Sequence, residues 1–529
     1  MRAASALARR TLANGRISTG SFALLFLFIA FVQPVGYRRA YPTAADRLAF
    51  ARSFGTNKIV QLFYGVPHDL LSVGGYTAWR VGGTASIFAA AWGLIAAVRA
   101  FRAEEDAGRQ ELVLASVISR RDAYLAALAA IAGGAVVLWA ALLLGLGASR
   151  LSLGSSAFLA LAVVSPVPVF AGVGALTSQI APTKRLALAL ASAVLGLAFL
   201  LRVIADTSTG YDWVRWLTPL GWVEALQPFG DPQPAVLVLP AITAAVLLLA
   251  AGAINARRDV GRGLLTGNDS AAPRLFLLSS PTTFAFRSEL ATLGVWVAGV
   301  GLYAVVVGVL STSFTSENLP ATIREELEKL GGASLVTPAG ALGFYFLLFV
   351  FAISLFACSQ IAAARREEAD QRLETLLALP VGRTRWLAGR IVLGSAGIAA
   401  LALAAGLLAW AGAASQGADV SLGEMLEAGL NCLPTSLLFL ALASLAFGVL
   451  PRASTGIAYG LVSVAFVWQL FGSLLGAPQW IVDLSPFQHV GLVPARPFHV
   501  TAAIVMVALA GVGALAGTWA FGRRDLTAA

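Results

Sequence analysis

Long, almost uncharged runs of apolar residues recur along the whole chain, separated by shorter segments that hold most of its charged residues. Each run is long enough to cross the bilayer core of about 30 Å as a single helix. The pattern predicts twelve transmembrane helices, near residues 18–36, 78–98, 124–147, 156–180, 186–204, 235–254, 291–311, 341–362, 391–413, 427–449, 455–475 and 500–521. We therefore predict an all-α polytopic membrane protein.

The composition supports a membrane location. Of the 529 residues, 58% are hydrophobic and 12% are charged, and the mean hydropathy is +0.80, whereas about a quarter of the residues of a soluble protein are charged. In a soluble protein the net charge of +10 would suggest a nucleic-acid partner. In a membrane protein an excess of Lys and Arg on one side of the bilayer produces the same balance, so no nucleic-acid partner is expected.

The distribution of Lys and Arg between alternate loops predicts the orientation. The termini and the loops after the even-numbered spans carry 25 of the 37 Lys and Arg residues, and the other segments carry 12. Because basic residues accumulate on the cytoplasmic side, both termini are predicted to be cytoplasmic. The segment 37–77, with five basic residues, runs against this trend.

The two halves of the chain carry matching residues in the same order. At an offset of 263 the matches are Glu104 with Glu367, Glu105 with Glu368, Arg109 with Arg372, Glu111 with Glu374, Leu114 with Leu377 and Arg120 with Arg383; Arg257-Arg258-Asp259 matches Arg523-Arg524-Asp525 at 266, and Leu217-Thr218-Pro219 matches Leu484-Ser485-Pro486 at 267. Such a series indicates duplication, and six spans per half make the repeats parallel. We predict a first six-helix permease-like unit at 1–255, a polar cytoplasmic linker at 256–286 and a second six-helix unit at 287–529.

No residue pattern in the chain predicts catalysis or metal binding. Its three lysines, Lys58, Lys184 and Lys329, lie outside any glycine-rich nucleotide-binding loop, so ATP hydrolysis by a P-loop is excluded. Cys358 and Cys432 lack the spacing of metal ligands. We expect no catalytic residue, no metal site and no cofactor bound by this chain.

The few charges near the spans are interpreted as interfacial. Arg80, Arg202 and Glu427 fall near span ends, where long side chains can reach the membrane surface. A proton relay would instead place ionisable groups inside the membrane region. Snorkelling is the favoured interpretation of these charges.

The most distinctive segments are two loops, residues 104–120 and 367–383, which we call the first and second motif loops. In the second, Leu373, Leu376 and Leu377 fall on one face of a short amphipathic helix. The helix begins with acidic residues and is ended by Pro380 and Gly382. Such a helix can lie on lipid headgroups, but helices of that kind favour Lys and Arg, so the acidic start fits a protein partner better.

The second motif loop, with Glu367, Glu374, Leu377, Pro380 and Arg383, resembles the permeases of the ABC-2 type exporter family. The whole chain is similar to the fused, double-length actinobacterial permeases of polyketide antibiotic (tetronasin-type) exporters. The resemblance implies a helix in each motif loop that docks on a separate ATPase subunit. The coupling residues that it implies are Glu104, Glu105, Arg109, Glu111, Leu114, Arg120, Glu367, Glu368, Arg372, Glu374, Leu376, Leu377, Pro380 and Arg383. In the first loop Ser116 is placed where Pro380 stands, which predicts unequal docking surfaces.

The resemblance also implies a function. The chain would be the permease of an ATP-binding-cassette exporter in a bacterial, actinobacterial plasma membrane, moving a lipophilic or amphipathic, antibiotic- or drug-like compound out of the cell. Two ATPase subunits per chain would bind ATP and Mg²⁺, while the chain contacts membrane lipid and substrate. The sequence indicates no substrate-binding residue. An ion-coupled secondary transporter, which can also contain fused repeats, is the alternative.

Two aromatic, proline-broken segments follow the fifth and eleventh spans, at 212–222 and 480–487. Tryptophans at these places are typical of an interfacial aromatic belt. The resemblance implies instead a pair of short helices that dip into the outer leaflet.

Overall fold

The computed structural model describes residues 2–55, 61, 64–207, 210–261, 263–265, 276, 281–311, 338–471 and 479–526. Within these ranges the regular structure is helical, and no β-strand is found there. The chain divides into two compact units, Met1–Ala271 and Ala272–Ala529. Of the predicted linker 256–286, residues 262, 266–275 and 277–280 lie outside the described residues.

The first unit contains the first six predicted spans. Its helices are α1 (Arg2–Ala40), α2 (Ala44–Phe54), α3 (Val73–Val98), α4 (Arg109–Leu114), α5 (Arg120–Ala148), α6 (Leu153–Val164), α7 (Pro166–Ile180), α8 (Lys184–Thr207), α9 (Pro219–Ala225) and α10 (Val238–Arg257), with 3₁₀ turns at Asp212–Leu217 and Pro234–Leu237. The most extensive packing joins α1 to α5 and α3 to α7. Small residues allow the second pairing, because a Cβ at Gly93 would lie 2.7 Å from the Val167 carbonyl oxygen.

The second unit repeats this order where it is described. Its helices are α11 (Pro281–Leu310), α12 (Pro338–Ala369), α13 (Arg372–Leu377), α14 (Arg383–Ala414), α15 (Leu422–Leu430), α16 (Leu433–Val449), α17 (Ser454–Phe471), α18 (Gln479–Val482) and α19 (Val500–Arg523), with a 3₁₀ turn at Pro486–His489. Its core contains many buried aromatic and aliphatic side chains of α12, α14 and α16, and α19 packs along α16.

Eleven helices of the described chain are long and apolar enough to cross a membrane. The remaining predicted span, 455–475, corresponds to the 18-residue apolar helix α17. Its predicted end, 472–475, lies outside the described residues. The prediction of an all-α polytopic membrane protein is confirmed.

The fourth predicted span of each unit is interrupted, near its middle in the first unit and near its start in the second. In the first unit, α6 ends at Val164 and α7 begins at Pro166; in the second, α15 ends at Leu430, shortly before Pro434. Proline has no N–H group and is favoured in the first turn of a helix. The sequence predicted continuous helices at both places, and each is instead a pair of shorter helices.

Candidate functional site

Each motif loop begins as a direct extension of a membrane helix. Beyond Val98, α3 continues through a π-helical turn, Arg99–Ala103, to Asp106, and Gly108 then reverses the chain into α4 with a φ of +69°. In the second unit Gln371 makes the corresponding reversal between α12 and α13, with a φ of +60°. The two left-handed residues are 263 positions apart, so the backbone of the two motif loops turns at the same place in the repeat.

Glu105 anchors the first motif loop to the end of the sixth span. Its carboxylate lies 3.0 Å from the Arg102 guanidinium and 2.6 Å from that of Arg258. It also accepts a hydrogen bond of 2.8 Å from the backbone N–H of Gly261. Glu105 is 6% exposed, so this anchor is withdrawn from water.

Glu368 forms the equivalent anchor in the second unit. Arg524 donates to both of its oxygens, at 2.6 and 2.8 Å, and Arg365 lies 3.5 Å away. Glu368 is 2% exposed. The pairs Glu105–Arg258 and Glu368–Arg524 therefore join matching positions of the two repeats.

A second contact braces each anchor from the start of the third span. Arg120 donates to the carbonyl of Arg258 at 2.7 Å, and Arg383 donates to the carbonyl of Arg524 at 2.8 Å. Each anchor thus ties together the ends of the second, third and sixth spans of its own unit. Removing one partner of such a buried ion pair typically costs about 3–5 kcal/mol, because the other charge remains buried.

The other predicted residues of the first motif loop lie at its surface. Arg109 makes two hydrogen bonds, of 2.8 and 2.9 Å, to the carboxylate of Glu104. Glu111 is exposed and Leu114 is half-buried. The predicted coupling residues of this loop therefore include one buried anchoring residue, Glu105, and several residues that face outward.

The second motif loop shows the same mixture. Glu367 pairs with Arg390 at the start of the third span, while Arg372 lies 3.7 Å from Asp370 at the surface. Glu374 and Pro380 are exposed. At the offset of 263, the residue opposite Pro380 is Val117, not Ser116 as the sequence comparison placed it.

Part of the predicted apolar docking face packs against the second unit itself and is not free to contact a partner. Leu373 is fully buried, and Leu377 packs against the core of the second unit, while Leu376 is half-buried. A helical pattern defines the apolar face of a helix but not what that face contacts. The freely exposed apolar residues of the motif loops are Leu112 (75%), Val117 (93%) and Leu379 (54%).

The anchoring arginines were missed by the sequence analysis, although a signal for two of them was present. Arg258 and Arg524 belong to the repeated Arg-Arg-Asp that closes the sixth span of each unit. In the sequence analysis that repetition was interpreted only as evidence of duplication. A chain that repeats Glu-Glu after the second span and Arg-Arg-Asp after the sixth span of each unit indicates an ion pair between the two motifs.

The segments between the fifth and sixth spans form a second repeated region, the first and second 5–6 segments, residues 210–228 and 479–494. Thr218 donates to the Ala198 carbonyl at 2.8 Å, and Ser485 donates to the Ala465 carbonyl at 3.0 Å. Both partners of the second bond lie 267 positions after those of the first. Each 5–6 segment consists of one short α-helix and one 3₁₀ turn.

One interpretation of the charges was wrong. Arg202, expected to reach the membrane surface, is fully buried in the first unit. Its Nε lies 3.5 Å from the Asp206 carboxylate and 3.7 Å from that of Glu224. The interpretation failed because Glu224, 22 residues later, folds back onto α8. In the described part of the chain, no group of three or more His, Cys, Asp and Glu side chains could hold a metal ion.

Comparison with known proteins shows the family to which the chain belongs. The family model of the multidrug efflux system permease Rv1217c, C-terminal domain, matches residues 68–257 and 278–522. The chain belongs to this family. The multidrug efflux system permease protein Rv1217c of Mycobacterium tuberculosis is 31% identical over 524 residues, which cover 98% of this chain and 94% of the relative. The residues matched to the Rv1217c family include both motif loops and both 5–6 segments, and membership confirms the prediction of a multi-pass efflux permease.

Proposed function

We propose that this efflux permease is the membrane-spanning subunit of an ATP-binding-cassette exporter of the ABC-2 type, similar to tetronasin-type antibiotic exporters. The observation that carries the proposal is the duplicated anchor, in which Glu105 and Glu368 bind Arg258 and Arg524 beneath the motif loops. Two matching loops in one chain suit two copies of one partner. We therefore propose one chain bound to two ATPase subunits, which hold the ATP and Mg²⁺.

The anchors would transmit a movement of the motif loops to the membrane helices. A push on a motif loop acts on the end of the second span directly, because the loop continues that helix. The buried ion pair carries the same push to the sixth span, and the brace from Arg120 or Arg383 carries it to the third. Three of the six spans of each unit would then move together when the ATPase changes shape.

The distribution of charge supports the proposed orientation, and the uncharged spans together with the name of the relative support the proposed substrate class. The excess of Lys and Arg supports a plasma-membrane location with both termini and both motif loops in the cytoplasm, where ATP is available. The relative of Mycobacterium tuberculosis is named a multidrug efflux permease, and the largely uncharged spans suit apolar ligands. A lipophilic or amphipathic compound, antibiotic- or drug-like, is the proposed substrate.

An ion-coupled secondary transporter is the second candidate, and the buried charges around Arg202 favour it. Ionisable groups buried in a membrane protein commonly mark ion or proton pathways. The two candidates differ in the energy source. In vesicles, transport that requires ATP and the ATPase supports the first, and transport driven by an ion gradient without ATP supports the second.

The docking proposal is tested with the exposed leucines of the motif loops. Leu112→Asp and Leu379→Asp would each place an unpaired charge in the contact with the ATPase. A loss of about 3 kcal/mol corresponds to more than a hundredfold weaker binding. We expect loss of ATPase co-purification and of efflux at unchanged membrane expression and thermal stability. Leu377→Asp is less suitable, because Leu377 packs against its own unit.

The matched control is Ala453→Asp, an exposed residue of the turn between α16 and α17, outside both motif loops. It should retain binding and efflux.

Native mass measurement of the wild-type complex should give one permease chain with two ATPase subunits. Unchanged binding in both leucine variants would mean that the motif loops are not the docking surface.

A further inference from the structure

A cluster of charged side chains is buried at the end of the first unit opposite its motif loop. Arg202 and Asp206 belong to α8, Arg215 to the 3₁₀ turn, and Glu224 to α9 of the first 5–6 segment. Apart from Arg215, whose side chain is 19% exposed, these side chains are at most 7% exposed. Because burying several charges together is expensive, this cluster requires an explanation beyond stability.

Two carboxylates in the cluster share the same two guanidinium groups. Asp206 lies 3.1 Å from Arg215 and 3.5 Å from Arg202. Glu224 lies farther from both, at 3.6 Å from Arg215 and 3.7 Å from Arg202. Its two oxygens are buried and accept no hydrogen bond from either arginine, whereas the protonated Glu224 carboxyl group can donate a hydrogen bond to Asp206. Asp206 is therefore the better-paired carboxylate of the two, and Glu224 the weaker.

Glu224 also faces a cavity of about 50 Å³ between the first 5–6 segment and the start of α3. Its polar lining includes His68, Asp69 and Gln227 beside Tyr64 and Trp79. The cavity is large enough for roughly three water molecules, and too small for a drug-sized ligand. At Gly65 a Cβ would lie 2.0 Å from a Glu224 oxygen, so glycine is required for the close approach of the backbone to this carboxyl group.

The surroundings of Glu224 favour its neutral form. Three charged side chains contact Glu224 or act on it directly, Arg202 and Asp206 on α8 and Arg215 on the 3₁₀ turn. Tyr64, His68 and Asp69 of the segment before α3 line the same cavity, and Arg80 on α3 lies over the Tyr64 ring. Burial, followed by the Asp206 carboxylate, raises the pKa of Glu224 well above its ordinary value of 4.5. Burial and the charge of Arg215 lower the pKa of His68 below 6.5.

We propose that Glu224 is a proton-binding residue, which takes up and releases its proton through the His68-lined cavity and thereby sets how strongly the first 5–6 segment is held by Arg202 and Arg215. Uptake converts the carboxylate to a carboxylic acid with a proton from water, and release restores both ion pairs. This inference concerns the purified chain itself, and its test does not depend on an ATPase or on transport.

The test follows the thermal unfolding of the purified chain in detergent as a function of pH. Since the pKa of Glu224 is raised by folding, the folded chain binds more protons between the two values, and its stability falls as the pH rises through that window. His68 contributes with the opposite sign below 6.5, because its pKa is lowered. The difference between the wild type and Glu224→Gln isolates Glu224. We expect the wild-type melting temperature to fall by several degrees relative to this variant from about pH 5 to about pH 9.

Infrared spectroscopy provides a second measurement, in which the spectrum of the wild type is informative by itself. The wild type should show the carbonyl band of a protonated carboxylic acid at neutral pH, and the band should weaken as the pH rises. Glu224→Gln should lack it, and Asp231→Asn, which changes an exposed acid a few residues away, should retain it. Absence of the band in the wild type, or its persistence in Glu224→Gln, would overturn the proposal.

Discussion

Both units tie a buried glutamate of the motif loop to an arginine after the sixth span, Glu105 to Arg258 and Glu368 to Arg524. The 5–6 segments agree in their backbone contacts but not in their charges. Opposite Arg202, Arg215 and Glu224 of the first unit, at the offset of 267, the second unit has Gln469, Val482 and Gly491. Duplication has thus preserved the anchor and the local folding contacts, while the charge cluster belongs to one half. Features that are present in both units are therefore best assigned to a function that both units perform. The charge cluster is best assigned to a function of the first unit.

The largest expected effect tests whether the two anchors are equal. Arg524→Ala would leave the buried Glu368 with Arg365 at 3.5 Å, and we expect a loss of about 3–5 kcal/mol in the free energy of unfolding. Arg258→Ala should cost less, because Glu105 keeps Arg102 at 3.0 Å. Unfolding of both variants in mixed micelles measures the difference.

Arg523→Ala is the control for the second anchor, because Arg523 stacks on Trp519 instead of binding Glu368. It should change the stability by less than about 1 kcal/mol. If Arg524→Ala is as mild as this control, the anchor does not stabilise the second unit.

A smaller effect tests the contacts that the two 5–6 segments share. Thr218→Val and Ser485→Ala each remove a buried hydroxyl that donates to a carbonyl of the fifth span. A loss of about 1 kcal/mol is expected for each, and the two losses should be similar. Unequal losses in the same unfolding measurement would show that the charge cluster of the first unit changes the contribution of the shared contact.

The smallest effect concerns the surface of the first motif loop. Arg109 and Glu104 are paired at 2.8 Å, with side chains that are 47% and 29% exposed. Exposed ion pairs contribute at most about 1 kcal/mol and are screened by salt. Glu104→Gln should therefore barely change the stability, and the change should vanish at high salt. A loss as large as that of Arg258→Ala would place Glu104 in the anchor.

The sequence predicted the spans well because hydropathy summed over twenty residues depends little on detail. It did not predict the anchors, since Glu105 and Arg258 are 153 residues apart and a local pattern does not show which charges meet. The same limit explains the error at Arg202, which looked like an end-of-span arginine until Glu224 was seen to fold onto it. The direction of the Leu377 face depended on its packing against the core of the second unit, and the periodicity of a helix does not show what its apolar face contacts.

The order of the anchor residues along the chain has a consequence for biogenesis. In each unit the glutamate emerges from the ribosome four spans before the arginine that binds it. During synthesis the carboxylate must remain hydrated at the membrane surface while the third to fifth helices are inserted. The sixth helix then brings the second arginine, which completes an anchor that Arg102 or Arg365 of the second span has already begun. Insertion of this last helix is therefore the step that completes the anchor of each half.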